Sequence, residues 1–118
     1  MAGPGGSPYA VTAMAKATIE AGALVRVRIP SPLRSYTGGA DEVVVALPVL
    51  APEHPPTLAG VLAALEQKHR GLRFRIIDEQ GRVRPHIKLF VGLDLARDLE
   101  IQVPPDRDVM IVAALSGG

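Results

Sequence analysis

Residues 57 to 71 carry the one amphipathic helical pattern in the chain, and the other periodic stretches alternate as strands do. Leu58, Val61, Leu62 and Leu65 are spaced i, i+3, i+4, i+7 and line one side of a helix. Thr57 stands at the N-cap position before them. The helix is expected to end near His69 to Gly71, with Lys68, His69 and Arg70 beside its negative end. Upstream, Val25, Val27 and Ile29 alternate with Arg26 and Arg28 in the period of a half-buried strand, which Pro30 and Pro32 end. A loop containing Thr37-Gly38-Gly39 follows. Glu42 to Val49 then supplies a second β-branched run, so the two segments form an antiparallel hairpin with a long turn. Pro52, Pro55 and Pro56 mark the next boundary.

Beyond the helix, Phe74 to Ile77 is a short apolar segment and Asp78-Glu79-Gln80-Gly81 reads as a turn. In His86 to Gly92, Ile87, Leu89 and Val91 take one face of a third strand and His86, Lys88 and Phe90 the other. A polar stretch closed by Pro104-Pro105 leads to a last apolar strand, Val109 to Leu115. One apolar helix face and one apolar sheet face must cover each other. The expected class is therefore α+β, with a mixed sheet of about four strands on one helix, in the strand, strand, helix, strand, strand order of the β-grasp (ubiquitin-like) fold.

The 118 residues suffice for one core. Residues 1–22 are rich in Gly, Pro, Ala and Ser, without periodicity or enough large apolar side chains to offset the entropy of ordering them. They read as a flexible extension ahead of a domain spanning 23–118.

Thirteen basic and twelve acidic residues leave a formal charge of +1, so the chain lacks the phosphate attraction of a dedicated nucleic-acid binder. The charge is segregated, however. Lys68, Arg70, Arg73, Arg75, Arg82, Arg84 and Lys88 cluster mid-chain, and Asp94, Asp98, Glu100, Asp106 and Asp108 follow. The absence of cysteine excludes disulfides, thiolate metal sites and a thiol nucleophile together. The longest uncharged stretch, Val43 to Pro52, is half a membrane span, and the first residues lack a secretory pattern, so a cytoplasmic protein without a membrane partner is expected. No Gly-x-Gly-x-x-Gly or Walker-type loop follows a strand. His54, His69 and His86 are scattered without i, i+4 pairing, so no metal site is expected. Ser116 has no Gly-x-Ser-x-Gly context. The residues do not describe a self-sufficient enzyme.

The apolar strand from Val109 runs into Leu115-Ser116 and then Gly117-Gly118. Two glycines alone are equally the mark of a frayed tail. Their context is more informative. Val25 to Pro30, the loop Leu33-Arg34-Ser35-Tyr36-Thr37-Gly38-Gly39, Thr57-Leu58 with the helix to His69, Ile87 to Gly92 and Val109 to Gly118 together resemble the MoaD/ThiS family of ubiquitin-like sulfur carriers. The family includes the molybdopterin synthase small subunit, the thiamine carrier and a cysteine-synthesis carrier. The chain departs from it in its N-terminal extension, in Pro52 to Pro56, and in Leu115-Ser116 where Val-Ala is common.

The resemblance implies that a ubiquitin-activating-type adenylyltransferase/sulfurtransferase uses ATP to adenylate the carboxylate of Gly118. Sulfur then displaces AMP, and the resulting thiocarboxylate serves an acceptor synthase resembling the molybdopterin synthase large subunit or a cysteine synthase. The chain itself would bind no cofactor. Glycine at 117 and 118 suits the role because, lacking Cβ, it follows a narrow channel and leaves the last carbonyl open to attack. Two alternatives stay open: a ubiquitin-type modifier, in which a lysine amine captures the same activated tail, and a β-grasp interaction domain. If Ile87, Leu89, Val91, Val109 and Ile111 face the helix, then Phe90, Met110 and Val112 lie on the outer sheet face and, with Leu115 and Ser116, form a candidate partner surface. The competing expectation is that the extension or a loop covers them.

Overall fold

The computed structural model describes residues 23–47, 55–104 and 106–114. The elements are β1 (Ala23–Arg28), a 3-10 turn (Ser31–Thr37), β2 (Glu42–Leu47), α1 (Leu58–Lys68), α2 (Leu72–Ile76), β3 (Ile87–Val91), β4 (Asp94–Ala96) and β5 (Val109–Ala113). The extension at 1–22 lies outside the described residues, as do 48–54, 105 and 115–118.

The sheet order is β2-β1-β5-β3-β4. β1 and β2 form the expected antiparallel hairpin, from Ala23 opposite Leu47 to Arg28 opposite Glu42. β5 sits in the middle, parallel to β1 and antiparallel to β3. The mixed β-grasp sheet is therefore as expected, with five strands in place of about four. The additional strand is β4, which pairs antiparallel with β3 through Val91 opposite Asp94 and needs only Gly92 and Leu93 to turn.

Strand alternation and helix periodicity meet in one core. Val25, Val27, Val43, Val45, Ile87, Leu89, Val109 and Ile111 project from the sheet onto Leu58, Val61, Leu62 and Leu65 of α1, and all twelve are buried. Burying each side chain of this size contributes about 1.5–3 kcal/mol before the entropy of ordering it is subtracted.

The start of α1 is closed group by group. The Leu58 N–H donates to the Ile101 carbonyl at 2.8 Å, the Ala59 N–H to the Leu99 carbonyl at 2.9 Å, and the Gly60 N–H to Thr57 Oγ1 at 3.2 Å. Three of the four N–H groups that a helix leaves unpaired thus find partners. Thr57→Ala is expected to lower stability by about 0.5–2 kcal/mol, with Thr57→Ser losing less, as read from urea denaturation midpoints. A loss below that range for alanine would mean that the strand-like segment alone holds the helix start.

That segment corrects the reading of residues 93–103 as merely polar. Leu99, Ile101 and Val103 alternate inward, Val103 is fully buried, and the Val103 N–H bonds the Pro56 carbonyl at 2.7 Å. The short apolar segment at 74–77 is also more specific than expected. Leu72 and Ile76, one helical turn apart, are buried in α2, whereas Phe74 between them is half exposed. Gly71 separates the two helices with φ of 91°, and a Cβ there would meet the Tyr36 ring at 3.3 Å, so a side chain is opposed both by backbone and by contact.

The Leu33-to-Gly39 motif is explained by local geometry. Leu33 is buried, Arg34 Nε donates to the Ile29 carbonyl at 3.0 Å, and the Thr37 hydroxyl lies 2.7 Å from the Ala40 carbonyl. Gly38, at φ 65°, caps the turn in the left-handed region and Gly39 continues at 91°. The motif locks the β1–β2 connection.

Candidate functional site

β5 is the element that carries the chain toward Gly117 and Gly118. Val109 and Ile111 pin it to the core, and cross-strand pairs with β3 run from Val91 opposite Val109 to Ile87 opposite Ala113. The Ala114 N–H, just past the strand, donates to the His86 carbonyl at 2.8 Å. The root of the tail is therefore tied to the start of β3. Leu115, Ser116, Gly117 and Gly118 lie outside the described residues.

On the outer face of the sheet, Phe90 stands opposite Met110 on one side and Leu95 on the other, and Val112 stands opposite Lys88. Phe90 is partly covered by these neighbours, and Met110, Val112 and Leu95 are each more than a third exposed. The structure thus brings Phe90, Met110 and Val112 together on one face and adds Leu95, which sequence reasoning missed. The signal for it was present: Gly92-Leu93 makes a two-residue turn, after which alternation returns Leu95 to the face of Phe90. Leu93, at the tip, is almost wholly exposed. Arg28 neighbours Met110 across the parallel pairing, and Arg26 Nε lies 3.4 Å from Glu42 Oε2, so charged groups frame the apolar patch.

α2 is held by a carboxylate. Glu66 accepts from the Gly71 N–H and the Arg73 N–H, each at 2.9 Å, and these bonds, assisted by Arg70 and Arg73, hold its carboxyl below the ordinary value near 4.5. A carboxyl with a depressed folded-state value stabilises the protein above its unfolded value, and that contribution is lost as pH falls through the folded one. Asp78 behaves alike, its Oδ1 accepting from the Arg82 and Gln80 N–H groups in the turn after α2. Glu66→Gln is therefore expected to lose less stability than the unaltered chain between neutral pH and about pH 3, by urea unfolding at both. An equal loss would remove Glu66 from the account.

Among the described residues, no group of three His, Asp or Glu is placed to hold a metal, and no helix is long and apolar enough to cross a membrane. His69 stands at the end of α1 and His86 at the root of the tail, and His54 lies outside the described residues.

No family model matches the sequence, and no curated protein matches it. Solved structures do. CysO in the BexX/CysO complex of Amycolatopsis orientalis is 26% identical with a TM-score of 0.66, over 80% of this chain and 99% of that one. CysO of Mycobacterium tuberculosis is 25% identical with a TM-score of 0.65, over 77% and 99%. SAMP1 of Haloferax volcanii, at 20% identity and a TM-score of 0.65 over 80% and 99%, shares the fold. With its five-stranded β-grasp sheet, the chain is similar in structure to CysO, SAMP1 and related ubiquitin-like proteins, the likeness that its sequence motifs imply.

Proposed function

We propose that the chain is a sulfur carrier protein that works through the carboxylate of Gly118. A carboxylate is a poor electrophile. In the proposed sequence one of its oxygens attacks the α-phosphate of ATP in a ubiquitin-activating-type enzyme, pyrophosphate leaves, and an acyl-adenylate forms. A sulfide-level nucleophile then attacks the carbonyl carbon, the C–S bond forms and AMP departs, leaving a thiocarboxylate. That group passes its sulfur to an acceptor synthase in cofactor, cysteine or metabolite biosynthesis.

The observation that carries this reading is the placement of β5. The central strand of the sheet ends at Ala113, and the last four residues of the sequence, after Ala114, are Leu-Ser-Gly-Gly. The likeness to CysO across 99% of that protein supports it. The outer-face patch of Phe90, Met110 and Val112, extended by Leu115 and Ser116, serves in this reading as the surface on which the activating enzyme or the synthase docks.

The test is intact-mass spectrometry of the chain incubated with its activating enzyme, ATP and a sulfur donor. Replacement of oxygen by sulfur adds about 16 Da, localised to the C-terminal peptide. Modification confined to lysine-linked ladders would instead make the chain a modifier, the function named for SAMP1 in Haloferax volcanii. An unchanged mass with no ladders would sink both.

A further inference from the structure

A cleft of 640 Å³ opens between the 3-10 turn and α2, lined by Tyr36, Phe74, Arg75, Arg84 and His86, with Glu79 its one carboxylate among the described residues. His86 is also the residue whose carbonyl holds the Ala114 N–H, so the cleft adjoins the root of the tail. None of the outer-face residues Phe90, Met110, Val112 and Leu95 lines it.

Both arginines are pre-positioned by their Nε edges. Arg84 Nε donates to the Phe74 carbonyl at 2.8 Å, with its guanidinium carbon 4.6 Å from the centre of the Phe74 ring. Arg75 Nε donates to the Tyr36 hydroxyl, with its guanidinium carbon 5.6 Å from that ring's centre. Stacking on an aromatic face and one fixed hydrogen bond remove much of the freedom of a long side chain. Among the described residues the two Nη groups of each have no hydrogen-bond partner, and a guanidinium fork matches a carboxylate in bidentate geometry. Phe74, 51% exposed, offers apolar surface between the charges. The surrounding field has the same sign, since residues 68–88 carry seven Lys and Arg against Asp78 and Glu79.

We propose that this cleft receives an acidic segment, carboxylates flanking an aromatic side chain, of the protein that takes the C-terminal tail. The inference rests on the carrier reading for the identity of that protein. Docking here, beside Ala114, fixes the direction in which the last four residues enter the partner.

Two measurements test it. In the first, a Glu-rich octapeptide with one central tyrosine is titrated into the isotopically labelled full chain. Amide shifts concentrated at Tyr36, Phe74, Arg75, Arg84 and His86, suppressed by salt and lost in an Arg75→Gln/Arg84→Gln double variant whose thermal unfolding is normal, are the expected result. Equal shifts at Arg26, Arg28 and Arg97, or a double variant that binds as well, would overturn it. In the second, the KM of the activating enzyme for the chain is expected to rise about tenfold for each arginine replaced by glutamine, while Arg97→Gln leaves it unchanged. Equal KM values for all variants would also overturn it. If the enzyme ignores the unaltered chain and the peptide still occupies the cleft, the carrier reading falls and the acidic-segment site stands.

Discussion

Removal of Gly118, or addition of one alanine after it, is expected to abolish adenylation while leaving thermal unfolding unchanged. Deletion moves the reacting carbon back by about 3.3–3.6 Å along an extended chain. A misplacement of about 1 Å can already cost roughly 100-fold when two reactants must meet in a fixed geometry, so the expected loss is at least that large. Addition converts the Gly118 carboxylate into an amide and moves the terminal carboxylate one residue further on, by about 3.3–3.6 Å and onto a carbon that bears a methyl group, so it misses the reacting position by as much as deletion does. The unfolding part of the expectation comes from the core, whose buried side chains, among the described residues, end at Ile111. The check is ATP–pyrophosphate exchange with the activating enzyme, paired with melts of each variant. Normal exchange by the extended chain, without trimming, would place the chemistry elsewhere.

The parts of the fold legible in the sequence are those in which one face is buried along an entire element. In β1 and the residue after it, Val25, Val27 and Ile29 are buried and Arg26 and Arg28 between them are exposed, and the α1 stripe is buried at all four of its positions. What escaped notice was short or was decided by neighbours. β4 has three residues, too few for a period, and exists because β3 offers an open edge across a two-residue turn. Leu99, Ile101 and Val103 alternate as a strand does, but Asp98, Glu100 and the prolines after them disguise the segment as a loop. Its backbone is consumed in closing the start of α1, with the Leu99 and Ile101 carbonyls receiving helix N–H groups.

The candidate site divides along the same line. The outer-face neighbours Phe90, Met110 and Val112 follow from alternation plus the register of β3 against β5, and only the alternation was available in advance. The cleft at Tyr36, Phe74, Arg75 and Arg84 was invisible because it joins residues far apart in sequence, Tyr36 and Arg84 being 48 positions apart, through tertiary packing of α2 against the 3-10 turn. The sequence held only its coarse trace, the excess of arginine between 70 and 84.

The register makes a second large contrast, between adjacent residues of β3. Leu89 is buried against the core and faces Ile111, and Leu89→Ala removes apolar contacts that no neighbour can replace, so it is expected to cost about 2–5 kcal/mol of stability. Phe90 points to the opposite face, where Met110 and Leu95 flank it and solvent reaches it. Phe90→Ala therefore costs less stability than Leu89→Ala, and its principal effect falls on association, weakening binding to the activating enzyme or acceptor synthase by about 1–3 kcal/mol as loss of an aromatic anchor. Titration calorimetry against the purified partner, with urea unfolding of both variants, separates the two effects. Unchanged affinity for Phe90→Ala would show that the partner docks on another face. A loss of stability equal to that of Leu89→Ala would show that the ring, flanked by Met110 and Leu95, belongs to a second core layer.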